Sequence, residues 1–129
     1  MKMCGLETTL GENHLGHFLL TNLLLPTLKK SAPSRVVTVS HKLHHFARME
    51  LDDLNLKLER SYTPQLAYYN SQLANILFTR ALARRLRQAN AGVTANCLHP
   101  GLLIPDIYFG LPRIPLWILK ALLNIYSRV

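Results

Sequence analysis

Two short β-branched runs, Arg35–Ser40 (RVVTVS) and Val93–Leu98 (VTANCL), stand on either side of one long amphipathic stretch, Ser61–Gln88. That order restricts the fold more than any other feature of the chain. Each run reads as a short buried strand. Two strands joined through a helix pair in parallel by a right-handed crossover. Such a βαβ unit opens its ligand crevice at the carboxyl ends of its strands, where Ser40 and Pro100 lie.

The connecting stretch carries Leu66, Leu73, Ile76, Leu77, Ala81 and Leu82 at helical spacing, which predicts a core-facing stripe. Arg80, Arg84, Arg85 and Arg87 gather toward its C-terminal end, where cations suit the helix dipole. Tyr68 and Gln72 are one helical turn apart and share a face. A phenol, with an ordinary pKa of about 10, handles protons at neutral pH only when something stabilises its anion. A glutamine one turn away offers a hydrogen bond but no charge. By residue type alone, Tyr68 and Tyr69 equally describe ordinary aromatic packing at a buried helix edge.

The 129 residues are 49% hydrophobic, enough for one domain with a real core. His14–Lys30 reads as a second helix, with Leu15, Leu19, Leu20, Leu23 and Leu24 facing the core and Pro26 kinking or ending its last turn. SAPS at Ser31–Ser34 is a breaker, and Gly92 after the Gln88–Gly92 turn is a helix stop.

A formal charge of +8 favours anionic partners. The basic residues lack interleaved aromatics, so the chain is not read as a nucleic-acid platform. Cys4 and Cys97 are too few and too far apart for a zinc site or a disulfide scaffold. His41, His44 and His45 read as loop histidines, and Asp52 and Asp53 as turn or capping residues, so no metal site is expected. With no secretory signal and no apolar run long enough to span a bilayer, the expectation is an intracellular protein, cytoplasmic or peripherally membrane-associated. The apolar tail at Gly110–Val129, with Arg113, Lys120 and Arg128, packs on the core or makes a peripheral membrane contact.

Three segments in order, Glu12–Ser40, Ala67–Leu86 and Gly92–Gly101, resemble the second half of the short-chain dehydrogenase/reductase superfamily, closest to its retinol dehydrogenase-like branch. The resemblance implies an α/β fold: a partial Rossmann-type doubly wound parallel sheet lacking the N-terminal nucleotide-binding strands. Residues 1–129 would form a single partial domain, the catalytic half plus the apolar tail. It also implies NADP or NAD as cofactor, a small lipophilic alcohol or carbonyl of the retinol/retinal kind as substrate, and hydride transfer between them.

Carried over residue by residue, the resemblance places Asn13, Ser40 and Tyr68 in the catalytic set, and Tyr68, Gln72, Pro100 and Gly101 against the cofactor. The family uses the second of two serines at the strand end and a lysine four residues after the tyrosine. Here His41 stands at the serine position and Gln72 at the lysine position. Pro105 stands where relatives place a Ser or Thr, and neither a glycine-rich phosphate turn nor an Asn-Asn-Ala-Gly motif occurs. The chain therefore reads as a family member that begins midway through the domain. Two functions stand side by side: an oxidoreductase, and a truncated fragment or pseudoenzyme with at most a binding role. NADP(H) binding by the chain alone is not expected, and restoring catalysis is expected to need both His41→Ser and Gln72→Lys.

Overall fold

The computed structural model describes residues 2–3, 6–50 and 62–101. The chain divides into two compact units, Met1–His99 and Pro100–Val129, and of the second only Pro100 and Gly101 are described. Asp52, Asp53, Pro105 and the apolar tail lie outside the described residues.

The first unit opens with a two-residue antiparallel pair, β1 (Lys2–Met3) and β2 (Leu6–Glu7). A single turn, α1 (Thr8–Leu10), runs through a π turn at Gly11–Leu15 into α2 (Gly16–Lys30). Strand β3 (Ser34–Val39), a 3-10 turn (Lys42–Phe46), helix α3 (Pro64–Gln88) and strand β4 (Val93–Leu98) follow. The expected parallel pair is present, in register from Ser34 beside Val93 to Val39 beside Leu98. With α3 packed against both strands, this is the βαβ core of a partial Rossmann-type α/β fold.

Local chemistry explains the bounds of α3. Thr63 caps it, its side chain accepting from Leu66 N at 3.0 Å, and Pro64 takes a first-turn position where its missing N–H costs nothing. At the other end Asn90, at φ 48°, takes the left-handed conformation that ends the helix. Gly92, read from sequence as the stop, serves the next step: it sits at φ 64°, and a Cβ there would lie 2.8 Å from Ala32 Cβ. Only glycine lets the chain enter β4 so close to the segment that feeds β3.

The core is small. Leu82, Leu86, Val93 and Ala95 are buried together, with Leu25, Leu28, Val36 and Phe78 packed on them. Of the predicted α3 stripe only Leu82 is buried, while Leu77 is 46% exposed. The first half of α3 instead buries Asn70, Ser71, Gln72 and Asn75, and Thr79 follows one turn later. Helix α2 departs from expectation in the same way: Leu19, Leu20, Leu23 and Leu24 point outward, with Leu23 68% exposed, and Leu25 and Leu28 face the core. Helix amphipathicity identifies an apolar face but does not say what covers it. Pro26 does not end α2 early, because it lies on the exposed side, where water can satisfy the carbonyl it leaves unpaired. One face of the sheet is likewise open, with Val37 and Val39 each 56% exposed and Leu98 44% exposed.

Leu86→Ala should lower the unfolding free energy by about 2–5 kcal/mol, because it empties the buried cluster. Leu23→Gln, on the outward face, should change it by less than about 0.5 kcal/mol and raise solubility. Urea titrations of the two variants decide; equal losses would mean that the outward row is part of the core.

Candidate active site

Everything that converges at the carboxyl ends of β3 and β4 is tied by Ser40. Its N–H donates to Leu98 O at 2.9 Å, continuing the ladder one step beyond the paired residues. Its Oγ, on a residue 4% exposed, donates to the Gln72 carbonyl at 2.9 Å. The hydroxyl thus holds α3 to the end of β3.

A second knot lies one turn further along α3. Asn75 Nδ2 donates to Asn13 O at 3.1 Å and, more weakly, to Val39 O at 3.5 Å. Because Asn75 Oδ1 is an acceptor, its 3.0 Å contact with His14 requires the proton on His14 Nδ1. Asn13 Nδ2 donates to Ser71 Oγ at 3.1 Å, and Ser71 Oγ donates to Tyr68 O at 2.8 Å. Asn13 sits in the π turn, a wide turn that leaves backbone groups for side-chain partners. Asn70 brackets the backbone of Arg48, accepting from its N–H at 2.9 Å and donating to its carbonyl at 3.0 Å. This fastens the segment after the 3-10 turn to α3.

Around these buried groups stand the rings. Tyr68 is half-buried, with its ring 6.0 Å from that of His41 and 6.3 Å from that of Tyr69. His41 meets His99 edge to face at 4.8 Å. A pocket of about 290 Å³ opens here, with Ser40, His41, His44, Ile76, Leu98 and His99 in its lining. His41 caps the 3-10 turn, its Nδ1 accepting from Leu43 N at 3.2 Å, while its carbonyl accepts from His44 Nδ1 at 2.9 Å. Burial lowers the His41 pKa, and the neighbouring His99 and His44 rings lower it further. Cys97 also lines the pocket; burial pushes its thiol up against the opposing hydrogen bonds of Thr79, Leu98 and Ser40, so it stands as a thiol rather than a thiolate.

The structure therefore brings Ser40, His41, Tyr68 and Gln72 to one place and links Asn13 to it through Ser71. Gln72 is 8% exposed and contributes its carbonyl to the Ser40 latch. Pro100 and Gly101 open the second unit, Gly101 at φ 87°. Sequence reasoning passed over Asn70, Ser71, Asn75 and His99. Ser71, Asn75 and Thr79 recur every four residues, so a polar stripe on one helix face was the available signal. No group of three potential metal ligands lies together among the described residues.

Among the described residues nothing fits the diphosphate of a nicotinamide dinucleotide. Gly11 and Gly16 bound a π turn inside a continuing helix, and Gly92 is taken up by the close approach to Ala32, so no glycine-rich strand-to-helix turn aims N–H groups at an anion.

A parallel βαβ core with polar and aromatic side chains gathered at its strand carboxyl ends defines a Rossmann-type α/β protein with a crevice site. No family model matches the chain. Retinol dehydrogenase 14 of Homo sapiens is 53% identical over 123 residues, covering 95% of this chain and 35% of that protein. Retinol dehydrogenase 11 of Homo sapiens is 56% identical over 97 residues, covering 75% and 29%. The crystal structure of an uncharacterised protein from Mycobacterium paratuberculosis matches with a TM-score of 0.69 at 42% identity, over 86% of this chain and 44% of that one. Over the region it shares with them, the chain belongs to the retinol dehydrogenase-like branch of the short-chain dehydrogenase/reductase superfamily. It spans about a third of the length of the curated relatives it matches.

The lowered His41 pKa fixes the sign of a pH effect. The unfolded chain takes up a proton as pH falls through about 6.5, before the folded chain does, so stability is complete above that pH and declines below it. The groups around His41 are His44 and Lys42 on its own turn, Cys97 from β4, His99 just after that strand, and Tyr68 from α3. Urea midpoints measured from pH 7.5 downward should fall below about 6.5, and His41→Gln should flatten that arm. An unchanged slope in the variant would contradict the assignment.

Proposed function

We propose that this chain carries the substrate-handling part of an oxidoreductase acting on a small lipophilic alcohol or carbonyl of the retinol/retinal kind, and that by itself it transfers no hydride. The observation that carries this reading is the ring of Tyr68 beside that of His41, which itself lines a pocket with the buried Ser40, Ile76 and Leu98 in its wall. The names of the similar proteins support the substrate class. NADP or NAD is the cofactor the family reading implies, Tyr68, Gln72, Pro100 and Gly101 being the positions expected to face it. The described residues offer it no phosphate cradle.

Gln72 is the second support for the non-catalytic reading. A lysine at that position would place an ammonium one helical turn from Tyr68 and stabilise its phenolate; an amide brings no charge to do so. Asn13 serves this site as a positioning residue through Ser71. We place the protein inside the cell, with peripheral membrane contact through the apolar tail. No helix among the described residues is long and apolar enough to cross a membrane.

Two measurements test the reading. Calorimetry of the chain with NADPH should show no saturable binding in the micromolar range, and saturable binding there would overturn it. In a chimera that adds the preceding part of retinol dehydrogenase 14, Gln72→Lys should raise NADPH-dependent retinal reduction by roughly tenfold or more, the equivalent of about one pKa unit on the phenol. An unmodified chimera that is already as active would show that Gln72 is tolerated.

A further inference from the structure

From sequence, position 41 counts as a lost hydroxyl. The geometry supplies a different donor there. His41 Nδ1 accepts from the Leu43 N–H, and a nitrogen that accepts a backbone proton carries none of its own. The neutral ring must then hold its proton on Nε2, at the opposite edge. That ring lines the pocket of about 290 Å³, against Tyr68 from α3 and His99 from the end of β4, with Ile76 and Leu98 supplying apolar wall.

Resting on the reading of this pocket as the substrate site, we propose that the Nε2–H of neutral His41 is the hydrogen-bond donor that holds the carbonyl or alcohol oxygen of a small lipophilic ligand here. Three further observations fit. Ser40, the adjacent hydroxyl, donates inward to the Gln72 carbonyl and is 4% exposed, so its proton is already committed. Burial and the His99 and His44 rings keep His41 neutral at physiological pH. Neutrality is also structural, since a protonated Nδ1 would face the Leu43 N–H donor to donor and release the cap of the 3-10 turn. A neutral imidazole N–H polarises an oxygen without needing a counter-charge, which suits a pocket with apolar walls. On this assignment position 41 needs no repair in the chimera, and Gln72→Lys alone restores function.

The test uses the chain as it is, with acetophenone labelled with ¹³C at its carbonyl carbon as the probe. Nitrogen-15 spectra of the histidine-labelled protein at pH 7.5 should show His41 as the Nε2–H tautomer. Adding the ketone should shift the Nε2 signal and move the carbonyl carbon downfield. His41→Phe keeps a ring but removes the donor; it should weaken ketone binding roughly two- to tenfold, the range for one neutral hydrogen bond, and abolish the carbonyl shift. His41→Gln, which keeps an N–H donor, should retain most of both and guards against a folding defect in the first variant. An Nδ1–H tautomer, no ketone binding to the pocket, or an undiminished carbonyl shift in His41→Phe would each overturn the proposal. None of these outcomes depends on NADPH, so failure here is separable from failure of the oxidoreductase reading.

Discussion

The bond from Ser40 Oγ to the Gln72 carbonyl sets the distance between α3 and the end of β3, and the rest of the site is placed by that distance. A helical carbonyl has a second lone pair beyond the one its own helix uses, so this contact adds a partner without opening the helix. The same residue continues the ladder to Leu98 O, and one serine therefore joins two strands and a helix at a single buried point. In a dry environment such satisfied polar contacts strengthen one another, and an unmatched group is costly. Tyr68, one turn before Gln72, and His41, one residue after Ser40, are adjacent because their neighbours in sequence are bonded.

The Asn75 knot does for the front of the chain what Ser40 does for the strands. It holds the π turn by Asn13 O, fixes the proton position of His14 and reaches toward Val39 O. The apolar cluster around Leu82 and Leu86 lies at the other end of α3. Helix α3 is thus fastened by hydrophobic burial at its C-terminal half and by hydrogen bonds at its N-terminal half, where the chemistry sits. Hydrogen bonds are directional and fix geometry, whereas apolar burial tolerates sliding.

This division explains what could be read in advance. The strand, helix, strand order was legible because β-branched runs and apolar residues at helical spacing are local signals, and the positions of Ser40, Tyr68 and Gln72 followed from it. The buried polar stripe was not: Ser71, Asn75 and Thr79 look like solvent-facing residues to any reading that sorts by polarity, and only their hydrogen bonds to Asn13 and to the carbonyls of α3 explain their burial. Leu19, Leu20, Leu23 and Leu24 misled in the opposite sense, since their periodicity was right for a helix and uninformative about what covers it. The π turn has no compositional marker, because it depends on Asn75, some sixty residues away. At position 41 the residue type suggested loss of a donor, and only the hydrogen bond to Leu43 N shows which ring nitrogen keeps its proton.

The central claim is that the polar knot at the strand ends is as firmly held as the apolar core. Native-state hydrogen exchange of the Ser40 amide, compared with that of Leu82 in the apolar cluster on α3, tests it most directly. The account predicts that both amides open with the same free energy and the same dependence on denaturant, through global unfolding. A Ser40 amide that exchanges through a local opening of clearly lower free energy, with little denaturant dependence, would contradict it.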